Sequence, residues 1–207
     1  MEVTQVIDKV RATIMTVLEA SNEPVHRTRL VKLIYLADNL YYEHFGETIT
    51  GLGYMWDDFG PNSLSGAIVK EADKLVQDDY ACMKMGTSIY GSDNYLYSMG
   101  PTTFELTDEA LEPLESRVLI DTVNRFKGKS LGQVVTASKR TQPFKEVSQY
   151  EVLQMNQLPD YKSLLDSITS DNKLMSEIKE AVVAGEEAEG MQLQEVKQKY
   201  GLSMQAS

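Results

Sequence analysis

The residue types that most often build reaction centres are sparse in this chain. Its histidines are His26 and His44, separated by a whole predicted helix, and its one cysteine is Cys82. A metal centre needs several His, Cys or carboxylate ligands converging at bonding distance. The densest carboxylate group is Asp57-Asp58 with Glu47, and no histidine accompanies it. Solvated turn residues beside a helix start are the simpler account of it. A nucleophile needs a base and an oxyanion hole. No G-x-S-x-G is present, and Cys82 falls in a predicted strand, where a small buried apolar role is expected. Gly51-Leu52-Gly53 is followed by Trp56 where a third phosphate-loop glycine should stand, and no G-K-[ST] occurs. His44 sits near a predicted helix C-terminus, a structural rather than catalytic setting. The expectation is a protein that is not an enzyme and holds no cofactor or metal.

One mixture of residue types points to binding instead. Tyr54, Trp56, Asp57, Asp58 and Phe59 gather aromatic and acidic side chains within a glycine-rich connection. Trp and Tyr dominate the energetics of protein interfaces, so an exposed recognition surface is one reading. Core packing of an irregular connection is the other. A second acidic group, Glu186, Glu187 and Glu189, lies between Gly185 and Gly190. It would belong to a partner-binding or oligomer-forming arm, or to an auxiliary helical layer.

Apolar periodicity gives the elements that must position these residues. Thr4 to Ala20 reads as a helix with Val6, Ile7, Val10, Ile14, Val17 and Leu18 on one face. Thr28 to Phe45 reads as a second helix, with Leu30, Leu33, Ile34, Ala37, Leu40 and Tyr41 as its stripe. Tyr35, Leu36, Tyr42 and Phe45 widen that stripe, so neighbours are expected on most sides. Gly46 is its natural stop. Leu52, Tyr54 and Trp56 carry a strand period, and Phe59-Gly60-Pro61 a turn. Pro61, Asn62 and Ser63 read as the start of a third helix to about Gln77, burying Leu64, Ile68, Ala72 and Leu75.

Asp79 to Met85 and Asn94 to Met99 read as a hairpin with a long loop. Thr103 to Leu106 reads as a short extended piece, and Thr107 as a helix cap with a break or restart at Pro113. Helix resumes to Phe126 and ends at Gly128, Ser130 caps another, and Thr141 to Phe144 terminates that one. Val147 to Leu158 is expected to wrap the core. Pro159 marks a domain edge, giving a domain at 1–158 and a helical extension at 159–207 made of three short amphipathic segments. The fold class is α+β, mainly helical, with a small antiparallel β element.

Composition limits the partners. The chain has 207 residues, 42% hydrophobic and 25% charged, enough for one cored domain and an appendage. Its net charge of −11 argues against broad electrostatic contact with nucleic acid, which requires clustered cations. A single cysteine suits a reducing compartment. MEVTQVIDKV lacks the blocks of a signal peptide, and no apolar run is long enough to span a membrane. A cytoplasmic protein is expected, with no membrane partner. The element order is loosely that of a winged helix, which would place the Ser63 to Gln77 helix in a DNA groove. That helix offers Lys70 and Lys74 against Glu71 and Asp73, with Asn62 as its nearest base reader. Lys127, Lys129, Lys139, Arg140 and Lys145 gather later in sequence, around two helix ends.

The stretch LVKLIYLADNLYYEHFGETITGLGYMWDDFGPNSLSGAI resembles the Panacea domain, the SocA-like antitoxin family also found among phage-associated proteins. Lys32, Leu33, Tyr35, Ala37, Gly46, Ile49, Trp56, Gly60 and Pro61 carry the likeness. In KGKSLGQVVTASKRTQPFKEV, Ser130, Val134, Pro143 and Phe144 are similar to a later region of that family. The histidine often found there is absent, with Lys139 near its place. The likeness covers roughly residues 5 to 157. It implies a mainly helical domain that neutralises a neighbouring toxin by direct protein contact, or an adaptor that hands the toxin to a protease. The expected partner is therefore a cognate protein toxin, with a second copy of the chain also allowed. A winged-helix-like transcriptional regulator is the alternative from another class.

Overall fold

Helix α2 (Arg27–Phe45) is the element the others surround. Leu30 to Tyr35, Ala37 to Asn39, and Tyr41 and Tyr42 are all buried, so neighbours meet it on most of its circumference. His26 caps its start, Nδ1 accepting the Thr28 N–H at 3.1 Å. Burial, then the Arg27 charge, lower the His26 pKa, which suits a neutral acceptor ring. Gly46, at φ 76°, ends the helix in the left-handed conformation and returns its N–H to the Tyr42 carbonyl.

A computed structural model describes residues 3–87, 93–104 and 110–155. These fall within one compact unit, Met1–Leu158. The Thr107 cap, the tip of the long hairpin loop, the three amphipathic segments of the extension, and Glu186, Glu187 and Glu189 lie outside the described residues.

The architecture is α+β and mainly helical. Helix α1 (Val3–Ser21) is followed by the short β1 (Val25–His26), α2, and a hairpin of β2 (Tyr54–Asp57) and β3 (Gly60–Ser63). A 3-10 turn (Leu64–Gly66) leads into α3 (Ala67–Gln77), then β4 (Ala81–Thr87) and β5 (Asp93–Met99). Helices α4 (Pro113–Phe126), α5 (Leu131–Ser138) and α6 (Gln142–Lys145) follow. The main sheet is antiparallel in the order β1-β5-β4, with Val25 opposite Tyr97 and Ala81 opposite Met99. Helix, strand, helix, helix, strand, strand, with the first strand beside the last, is an order loosely like that of a winged helix. The β2–β3 hairpin is inserted between its second and third helices.

Helix α1 packs on α3 and α4, and Ala12 through Leu18 are all buried, a wider face than the periodicity predicts. Helix α4 starts at Pro113, the predicted restart, with Glu112 and Glu115 forming a capping box. Glu115 is itself buried and ion-paired to Lys9 at 2.5 Å. Ser130 caps α5 as predicted.

Four local expectations are corrected. Gly60 to Ser63 is strand rather than a helix start, the turn before it lies at Asp58 and Phe59, and α3 begins at Ala67. Positive φ at Ser65 (55°) and Gly66 (67°) makes a corner that a continuous helix cannot contain. Ser63 keeps a capping role from a distance, its Oγ accepting the Ile68 N–H at 3.1 Å. Leu64 is consequently exposed, and Glu71 takes a place on the buried face of α3. Cys82 faces solvent, because strand alternation turns Ala81 inward instead. Thr141 to Phe144 opens the one-turn helix α6, with Pro143 in its first turn where a missing N–H costs nothing. Of the short extended piece expected at Thr103 to Leu106, Thr103 and Phe104 belong to no regular element and the rest lies outside the described residues.

Candidate functional site

The β2–β3 hairpin is built up from α2. Asp38, fully buried on that helix, accepts the Thr50 N–H at 3.0 Å and the Tyr54 hydroxyl at 2.5 Å, and also bonds the Thr50 hydroxyl. Burial pushes the Asp38 carboxyl up to about 6 despite these donors. Burial, then the Asp38 charge, raise Tyr54 well above an ordinary phenol. Tyr35 meets the Tyr54 ring edge-on at 5.0 Å, and its hydroxyl bonds the Thr141 Oγ1 at 2.6 Å. One turn earlier, Lys32 donates from Nζ to the Pro61 carbonyl at 2.6 Å. Lys32, Tyr35 and Asp38 of α2 thus hold the connection and the hairpin that follow it.

Strand β2 is bonded on both sides. Across from β3, the Trp56 N–H donates to the Glu151 carbonyl at 2.9 Å. Tyr150 N–H donates to the Trp56 carbonyl at 2.7 Å, and Leu153 N–H to the Tyr54 carbonyl at 2.8 Å. The segment predicted to wrap the core therefore lies along β2, with Leu153 and Met155 buried. The Trp56 ring lies over Phe144 of α6 at 4.3 Å between centroids. Gly53 lets Leu64 approach: a Cβ there would stand 2.6 Å from the Leu64 Cδ1.

The tip of the hairpin points its side chains outward from this base. Phe59 is 70% exposed. Asp57 bonds the Asn62 Nδ2 at 2.9 Å and the Asp58 N–H at 2.8 Å, and these contacts, aided by Lys32, hold its carboxyl below the usual range. Asp58 Oδ1 receives the Tyr150 hydroxyl at 2.7 Å and Gln149 Nε2 at 3.2 Å. Gly60 leaves the turn at φ 95°, and a Cβ there would stand 3.1 Å from the Lys139 stem.

The predicted recognition residues divide accordingly. Tyr54 is core and closed to a partner; Trp56 is half-buried against Phe144. Asp58 and Phe59 form the exposed tip, and Asp57 beside them is half-buried and bonded to Asn62. Lys32, Asp38, Thr50, Gln149 and Tyr150, which brace that tip, were not singled out for it from sequence. A lone acid on an apolar helix face, as Asp38 is, was the one local signal.

Other polar groups of the domain are engaged in architecture. Arg11 and Lys74 bond Glu71 at 3.0 and 2.6 Å; burial would raise its pKa, but these two cations bring it down. Arg27 lies over the Tyr95 ring at 3.9 Å and donates to the Tyr97 hydroxyl, which in turn donates to Asp73 at 2.5 Å. Arg29 caps the end of α4 through the Phe126 and Lys129 carbonyls. A groove of about 360 Å³ runs between residues 46–53 and 152–155, with Glu47 as its carboxylate. No helix among the described residues is long and apolar enough to cross a membrane. No family model, curated protein or solved structure matches the chain.

Proposed function

We propose that this chain is a Panacea-type antitoxin that works in the cytoplasm, neutralising a cognate protein toxin by covering its active or substrate-binding face. The observation that carries the reading is the braced tip Asp57-Asp58-Phe59. Two carboxylates and an exposed aromatic ring stand on a hairpin tied to α2, α6 and residues 149–153. Such a surface loses little conformational freedom on binding, and an aromatic anchor rimmed by carboxylates fits a basic partner face. A toxin that handles RNA or nucleotides presents such a face.

The test is co-expression with the adjacent reading frame. That frame alone is expected to arrest growth and the pair to restore it, with the two proteins purifying together. A harmless neighbour, or restored growth without physical association, overturns the reading.

The winged-helix order of the sheet and helices supports a second reading, a DNA-binding regulator. Against it, Lys74 on α3 is tied to Glu71, and Asp73, Asp78 and Asp79 flank the same helix. Promoter DNA that binds at low salt with a steep salt slope supports this alternative; no binding at low salt removes it.

A further inference from the structure

We propose that Lys32 is the positioning residue of the hairpin: its buried ammonium closes the outer edge of β3 at Pro61 and thereby sets where Asp57, Asp58 and Phe59 stand relative to α2. The inference rests on the reading of that tip as the partner-binding surface.

Strand β3 has a strand partner on one side, β2. On its other edge Pro61 has no N–H to offer, and its carbonyl finds Lys32 Nζ at 2.6 Å. A side chain of the central helix thus does for β3 what a neighbouring strand would do. Pro61 lies opposite Trp56 and two residues from Phe59, so this bond acts close to the tip.

The choice of lysine is costly for stability alone. Lys32 is 3% exposed, and its bond is to a neutral carbonyl. Among the described residues no carboxylate forms an ion pair with it. An apolar side chain of similar length would fill the space without burying a charge. Two charged groups face it: Asp57 on β2 favours the ammonium, and Lys139 after α5 opposes it. Burial outweighs both and brings the Lys32 pKa down to about 8, from 10.5. An opening that hydrates Lys32 restores the higher value, so between these two values the open state holds more protons. The closed hairpin therefore gains stability as pH rises through that window.

The test combines hydrogen exchange with binding, on wild type and Lys32→Met. In wild type, protection of the Trp56 and Leu64 amides, corrected for intrinsic rate, is expected to rise from about pH 7.5 to about pH 9.5. Lys32→Met is expected to fold with a thermal midpoint at least equal to wild type at pH 7. It should exchange these amides about tenfold faster without the pH step, and bind the toxin about tenfold more weakly. Flat protection in wild type, unchanged exchange in the variant, or faster exchange with unchanged affinity overturns the proposal. If Lys32→Met does not fold, Lys32→Gln, which cannot place an ammonium at the Pro61 carbonyl, takes its place in both measurements. If wild type binds no toxin, the antitoxin reading falls, while the exchange data still decide whether Lys32 positions the hairpin.

Discussion

Asp38 shows how much of this domain depends on one buried carboxyl. Three donors from Thr50 and Tyr54 converge on it, and removing it leaves a buried hydroxyl pair without an acceptor. Asp38→Ala is expected to cost about 3 kcal/mol in urea denaturation at pH 7. The pH dependence has a definite sign. The folded pKa, about 6, lies above the ordinary value of 3.8, so the folded state holds more protons between them. Asp38 therefore withdraws stability as pH rises through that window. Asp38→Asn, which does not titrate, should lose less against wild type at pH 7 than at pH 4. An Asn deficit that grows with pH would mean the network prefers the charged acid.

At the scale of the element, the buried and exposed residues of the hairpin carry different expectations. Trp56 rests on Phe144, so Trp56→Ala is expected to cost about 2 kcal/mol and to loosen the contact with residues 150–153. Phe59 is exposed, so Phe59→Ala should alter stability by less than about 0.5 kcal/mol. Its effect should fall on toxin affinity instead, read by calorimetric titration. Gly60→Ala combines a strained φ of 95° with a contact at 3.1 Å to Lys139 and should cost about 1–2 kcal/mol. The same element explains why its start was misread. Pro61-Asn62-Ser63 is good helix-start chemistry taken locally, and Ser63 does cap, but the hairpin turn and the corner at Ser65-Gly66 come first. No neighbour in sequence announces that β2 will find residues 150–153 or that Pro61 will find Lys32.

At the scale of the molecule, the net charge of −11 would, on the proposed function, favour encounter with a basic partner. The association rate with the toxin is expected to fall severalfold between about 50 and 500 mM salt in stopped-flow measurements, with a weaker effect on dissociation. A rate indifferent to salt would turn attention from the Asp57-Asp58 carboxylates to the Phe59 ring.

Sequence alone determined the kind of most main elements, though not β1, β3 or α6. The helices at α1 and α2, the long hairpin, the Ser130 cap and the Gly46 stop are local patterns of periodicity and backbone preference, each readable within a few turns of chain. It also carried the acidic-aromatic stretch as a group. The tertiary structure decided which of those residues face outward. Tyr54 and Phe59 look alike in one dimension, yet one is spent on Asp38 and the other is free to touch a partner. Burial and hydrogen bonding are set by residues up to a hundred positions away, such as Tyr150 on Asp58, and no local pattern contains them.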